Sequence, residues 1–180
     1  MTTMTMGATR ALRATGAIFF AFFGGVWLEG WAIYSARPFA LKASIALLAL
    51  ALASVAYATY RRHAAELAAR GDTPGSRRAK RIFHIVNAAQ WVRVFIGANL
   101  LSRNGLSVWI VPMVILVVGL HFLPLAFVFS NYPDYVTGAA LMLLAVAYPL
   151  AAPSGPADPV GSLGAGLILW ASAVWALRRS

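Results

Sequence analysis

Three ionisable residues stand inside long apolar stretches of the sequence, namely Glu29, Arg93 and His121. Such residues are costly in lipid, normally face other protein or water, and commonly mark the path of an ion or substrate. A glutamate can accept a proton, an arginine carries a fixed positive charge, and a histidine can change its charge at physiological pH. The three residue types together favour the binding or translocation of a small solute or ion.

Arg93 is the last member of a polar series at intervals of three residues, which also contains His84, Asn87 and Gln90. Each step of three turns the direction of the side chain by about 60° on an α-helix, so the series predicts a slanted polar stripe. Estimated depths place Glu29 and Arg93 about 5 Å apart in height. Because pairing would remove the cost of two isolated buried charges, we expect Glu29 and Arg93 to form an ion pair.

The polar stripe has a simpler interpretation, in which it only joins neighbouring helices. Interhelical polar contacts in membranes contribute about 0.6 kcal/mol on average. The free-energy cost of an arginine at the middle of a membrane is larger than the stabilisation from such contacts. The sequence therefore favours a polar path over simple adhesion, and both interpretations stay open.

Metal, cofactor and covalent chemistry find little support in the residue types. The chain has no cysteine, which removes thiolate ligands, disulfides and cysteine nucleophiles. His84 and His121 fall at different estimated depths, and no pair of histidines has helical metal-ligand spacing. Ser154-Gly155 lacks the Gly-x-Ser-x-Gly frame of a serine hydrolase. We expect no metal and no cofactor, and an enzymatic activity is the less favoured interpretation.

The elements that must position these residues are transmembrane helices. Hydrophobic residues make up 61% of the 180 residues, charged residues only 11%, and the mean hydropathy is +0.74. A soluble domain is about 45–50% apolar, and one spanning helix needs about 20 mostly apolar residues. The sequence predicts an all-α membrane protein, a compact six-helix bundle forming a single domain over residues 1–180, with spans at about 14–34, 39–60, 82–101, 107–129, 135–150 and 160–177.

The net charge of +10 is concentrated before the first span, in the segment 61–81 and at the end of the chain. Lysine and arginine are enriched on the cytoplasmic side of membrane proteins. Both termini and the basic segment are therefore predicted to be cytoplasmic, in a multi-pass protein of the cell inner membrane. Anionic lipid head groups are the expected partners of Arg61, Arg62, Arg77, Arg78, Lys80 and Arg81. Nucleic-acid binding is not expected, because it requires a solvated basic face with stacking aromatic residues.

The second span is predicted to continue as a helix through Arg70 and to stop at Gly71, a residue suited to a left-handed position. Ser76 is the expected cap of the third helix. Arginine and lysine near the start of that helix oppose its dipole. Orientation in the membrane and attraction to anionic head groups are the expected compensation.

The fourth span contains Gly119-Leu120-His121-Phe122-Leu123-Pro124-Leu125-Ala126. Pro124 removes a backbone donor and leaves the carbonyl of Leu120 free beside His121. The run from Gly119 to Ala126 resembles a segment of small uncharacterised bacterial integral membrane proteins. The resemblance covers eight residues and implies a bacterial membrane protein, with no activity attached to the family.

Three functions remain open at this point. Translocation of a small solute or ion through a polar interior leads. The second is an accessory or structural membrane protein, which would bind a partner protein or a second copy through small-residue faces such as Ala49/Ala53 and Ser162/Gly166. The third is a membrane-embedded enzyme acting on lipid.

Overall fold

The computed structural model describes residues 6–69, 71 and 74–179, and the regular structure within these ranges is entirely helical. The predicted all-α class is therefore confirmed. Six α-helices follow one another, with single turns of 3₁₀ helix at Ser107–Trp109 and Gly155–Ala157. The α-helices are α1 (Met6–Tyr34), α2 (Phe39–Ala69), α3 (Pro74–Arg103), α4 (Ile110–Phe129), α5 (Tyr132–Ala151) and α6 (Val160–Arg178).

Five of these helices are long and apolar enough to cross a membrane: α1, α2, α4 with the turn before it, α5 and α6. A helix in lipid satisfies its own backbone hydrogen bonds, which is why helices of this length and composition suit a bilayer. α3 is outside this group, because its basic first turns and its polar stripe lower its hydropathy. The helices thus have the lengths and composition of a multi-pass membrane protein.

The helix ends around the basic segment follow local backbone preferences. α2 extends to Ala69, and Gly71 adopts the left-handed φ of +65° that the sequence predicts for a stop at this residue. α3 begins at Pro74, two residues before the expected cap, because a proline needs no hydrogen-bond partner in the first turn of a helix. Arg61 and Arg62 consequently lie on α2, and the basic residues from Arg77 to Arg81 lie on α3.

The chain divides into two compact units. The first consists of residues 1–73 and 166–180, and the second of residues 74–165. α6 contributes to both, with residues 160–165 in the second unit and its remaining turns in the first.

In the first unit, α1 packs antiparallel to both α2 and the later turns of α6, and glycines allow the close approach. A Cβ atom built on Gly25 would lie 2.8 Å from the Cβ of Ala49 on α2. A Cβ atom built on Gly24 would lie 3.1 Å from the carbonyl oxygen of Gly166 on α6. Trp170 donates its indole N–H to the carbonyl oxygen of Ala21 at 3.0 Å. Small residues at helix contacts are the usual basis of packing in lipid.

In the second unit, α4 and α5 make the tightest helix contact through Gly119 and Gly138. A Cβ atom on Gly119 would lie 2.9 Å from the carbonyl oxygen of Gly138, and a Cβ atom on Gly138 would lie 2.8 Å from that of Gly119. α3 runs antiparallel to α4, with the rings of Phe83 and Phe129 6.5 Å apart. At the far end of α5, the Tyr148 hydroxyl donates to a backbone carbonyl oxygen in the loop before α6 at 3.2 Å.

Several hydroxyl groups on the helices hydrogen-bond to their own backbone. Each donates to the carbonyl oxygen four residues earlier, as do Thr15, Ser44, Thr59, Thr137 and Ser172. This arrangement satisfies the hydroxyl proton without a partner helix. These residues are therefore not candidates for a polar path.

Candidate functional site

His121 is the one predicted site residue that is buried, with 8% of its surface exposed. The imidazole lies close to the backbone of Val86 on α3. Its Nδ1 atom is buried and has no hydrogen-bond partner among the described residues. His121 thus presents an unsatisfied ring nitrogen inside the second unit, which can donate or accept depending on the tautomer.

Two neighbouring features increase the polarity around His121. Arg93, on α3, lies close enough for its charge to act on the imidazole. Pro124 lies inside α4, three residues after His121, so the carbonyl of Leu120 lacks the donor that a regular helix would supply at that position. An unsatisfied nitrogen and a nearby positive charge are consequently brought together in the second unit, one residue from a carbonyl without its helical donor.

The polar stripe of α3 is largely at the surface. His84 and Arg93 are exposed, and Asn87 and Gln90 are half-buried. α3 has no fully buried residue at all. Asn99, which continues the polar character of the helix, donates to the carbonyl oxygen of Phe95 at 2.8 Å and so bonds within its own helix. The structure therefore gives His121 the protein-enclosed position and leaves most of the stripe accessible.

Glu29 lies in the first unit, half-buried on α1 beside a groove between α1 and α2. Within the described part of the first unit Glu29 makes no hydrogen bond and no ion pair, whereas Glu66 contacts the His63 ring at 3.5 Å. Arg93 belongs to the other unit. The pairing of Glu29 with Arg93 therefore stays a prediction.

The basic residues assigned to lipid head groups are accessible. Arg61 and Arg62 are exposed on α2, and the same holds on α3 for Arg77, Arg78, Lys80 and Arg81. In the first unit, Glu66 of α2 contacts Gly7 near the start of α1. The cationic end of α2 therefore lies beside the beginning of α1, where Arg10 and Arg13 stand.

Two features of the site were not anticipated from the sequence. The α1–α2 groove depends on how two helices with low amphipathicity pack, and no local pattern predicts it. In the seam between α1 and α6, the sequence marks Gly166 as a small residue but does not identify its partner Gly24. The hydrogen bond from Trp170 to Ala21 in the same seam joins residues 149 positions apart, which no local pattern predicts. Asp158 caps α6 by accepting from the N–H of Val160 at 3.0 Å, which the Asp-Pro pair before the helix would have indicated.

No group of three or more histidine, cysteine, aspartate or glutamate side chains within the described ranges is arranged to hold a metal ion. The chain matches no protein-family model, no curated protein and no solved structure.

Proposed function

We propose that the chain is a six-span protein of the bacterial inner membrane that moves a small solute or ion, with His121 as the titrating residue of a polar path. The observation that carries the proposal is the buried, unsatisfied Nδ1 of His121. An unsatisfied buried polar atom costs about 1–3 kcal/mol. Water or a polar solute that hydrogen-bonds to Nδ1 would remove this cost.

The antiparallel packing of α1 and α6 supports six spans rather than five. Basic residues near the start of α1 and at the end of α6 lie at one end of the first unit, where Arg13 donates to the carbonyl oxygen of Arg179 at 2.6 Å. α2 returns the chain to that end, whereas α6 must start from the opposite end. An odd number of crossings is needed between them. α4 and α5 supply two, so α3 has to supply the third.

A crossing by α3 is compatible with its polar stripe. A helix with Arg93 in its middle turns is tolerated in lipid when its polar groups face protein or water, or when a long side chain reaches towards the interface. Under the proposal, Arg93 supplies the fixed positive charge of the path, and Glu29 serves as a proton acceptor. Gln90, Asn87 and His84 continue the path along α3 towards its basic end, which the positive-inside rule places in the cytoplasm together with both termini.

Proton flux into reconstituted vesicles loaded with a pH-sensitive dye tests the proposal. His121→Ala should abolish pH-dependent flux, because it removes the titrating group without placing a new charge in the protein. Phe127→Ala is the control, since it removes an exposed ring on the same helix and should leave the pH dependence of flux in place. If flux is unchanged in His121→Ala and the melting temperature is lowered, His121 acts only in packing.

An accessory role is the second candidate, and the exposure of α3 favours it. A helix without any buried residue, and with Trp91 and Phe95 exposed on one side, offers an apolar face that a partner helix or a second copy could cover. The mass of the purified protein in mild detergent distinguishes the cases. A stable dimer that Phe95→Ala and Trp91→Ala dissociate would favour the accessory role. A monomer that still conducts protons would favour translocation.

A further inference from the structure

The groove between α1 and α2 has the size of a small-molecule site. Its cavity volume is ≈ 670 Å³, and residues of α1 and α2 alone line it. Sites for small molecules have volumes of about 300–1,000 Å³ and are mostly apolar with a few polar groups. The groove exists because Gly25, Ala46, Ala49 and Ala53 have little or no side chain to fill it.

Glu29 is the acidic residue among the groove's lining side chains, which are otherwise apolar apart from the hydroxyl of Tyr34. Lys42 lies on α2 one turn before Ala46, and it forms no ion pair with Glu29. A carboxylate in apolar surroundings without a counter-charge is unfavourable, and a cation in the same groove would relieve it. The charge of the groove therefore selects for a positively charged occupant.

We infer that the α1–α2 groove binds an organic cation with a bulky apolar body, whose charge pairs with Glu29 and whose hydrocarbon surface lies against the alanine and glycine face of α2 and α1. The aromatic rings of Phe22 and Tyr34, also in the lining, present π faces that attract a cation in the same way. Only the transport of the bound cation across the membrane rests on the proposed function. Binding itself requires no transport.

Tetraphenylphosphonium and tetraphenylborate are the matched probes, since they have nearly the same shape and opposite charges. Calorimetric titration of the full chain in detergent should show saturable binding of the phosphonium and no saturable binding of the borate. Glu29→Gln should weaken phosphonium binding at least about tenfold, because the neutral amide cannot replace the charge partner. Glu29→Asp keeps the charge and should retain part of the affinity.

Two further variants separate the groove from general electrostatic or apolar attraction. Ala46→Leu, at an exposed position of α2, adds bulk inside the groove and should weaken phosphonium binding while leaving Glu29 intact. Glu66→Gln removes a carboxylate at the other end of α2 and should leave the affinity within about twofold. Equal phosphonium affinity in the original protein and Glu29→Gln, or equal binding of the two probes, would overturn the inference, since either result means simple partition into apolar surroundings.

Flux measurements distinguish this inference from the proposed function. Phosphonium binding that depends on Glu29, without proton flux, supports the cation site and rules out the proposed translocation. Proton flux that depends on His121, without phosphonium binding that depends on Glu29, supports translocation and rules out the cation site. Only variants with the same melting temperature as the original protein are compared, so that a loss of binding cannot come from a loss of folding.

Discussion

The guanidinium of Arg13 donates a hydrogen bond of 2.6 Å to the backbone carbonyl oxygen of Arg179. The first turns of α1 and the end of α6 therefore meet at the same end of the first unit. A cation near the carboxyl end of a helix is also favoured by the helix dipole. The bond brings a basic segment of α1 and a basic segment of α6 to the same side. If both helices cross the membrane, the total number of crossings from α1 to α6 must then be even.

The first prediction concerns that parity and uses the absence of cysteine, because any introduced cysteine is then the unique thiol of the chain. Ser35→Cys and Ser102→Cys should react with a membrane-impermeant maleimide from the outside of intact cells. Ser180→Cys should react only after the cells are permeabilised. Labelling of Ser102→Cys on the same side as Ser180→Cys would show that α3 does not cross.

The second prediction concerns the contact of α4 with α5. Gly119→Ala should destabilise the protein by about 1–3 kcal/mol, the typical cost of inserting a methyl group into a packed contact. The new Cβ atom would lie 2.9 Å from the carbonyl oxygen of Gly138, a backbone atom that cannot rotate away. Gly16→Ala is the control, because nothing lies within 4 Å of a Cβ atom at that position. Thermal unfolding in detergent should separate the two variants, and equal melting temperatures would contradict the predicted contact.

The third prediction concerns the bond from Trp170 to Ala21. Trp170→Phe keeps an aromatic ring at the seam but removes the N–H donor, so it should cost about 0.5–1.5 kcal/mol in free energy of unfolding. Trp109→Phe serves as the comparison, since Trp109 is exposed before α4. A Trp170→Phe variant as stable as the Trp109→Phe variant would mean that the bond contributes nothing measurable.

The fourth prediction concerns the exposed basic residues of α2 and α3. Replacing Arg77, Arg78, Lys80 and Arg81 by glutamine should weaken association with anionic lipid by about 1 kcal/mol per residue near the surface. Melting temperatures in nanodiscs with anionic lipid should fall relative to the original protein, and those in zwitterionic nanodiscs should stay level. The difference should shrink at high salt, because screening shortens the range of the attraction. A salt-independent difference would point to protein contacts instead.

Helix class and helix ends were readable from the sequence because they depend on local chemistry. Apolar runs of sufficient length predict five helices that could cross a membrane, and Gly71 marks the end of α2 through its left-handed backbone. The start of α3 was misplaced by two residues, since Ser76 and Pro74 both suit a helix start and the structure uses the proline. The extent of α1 before residue 14 was also missed, because Arg10 and Arg13 read as flanking charges rather than as helical residues.

The environment of the polar residues was less predictable, because it depends on packing between helices. The polar residues from His84 to Arg93 wind around α3, and sequence spacing cannot say which of them another helix covers. His121 is enclosed because α4 places it against the backbone of Val86, a contact between residues 35 positions apart in the sequence. The α1–α2 groove likewise results from which alanines of α2 meet which glycines of α1.

The seam between α1 and α6 has a consequence for the order in which the chain is made. α1 is synthesised before α6, yet Ala21 on α1 accepts a hydrogen bond from Trp170 on α6, 149 residues later in the chain. Gly24 on α1 likewise packs against Gly166 on α6. This part of the α1 surface therefore gains its α6 partners only after all the helices between them have been made.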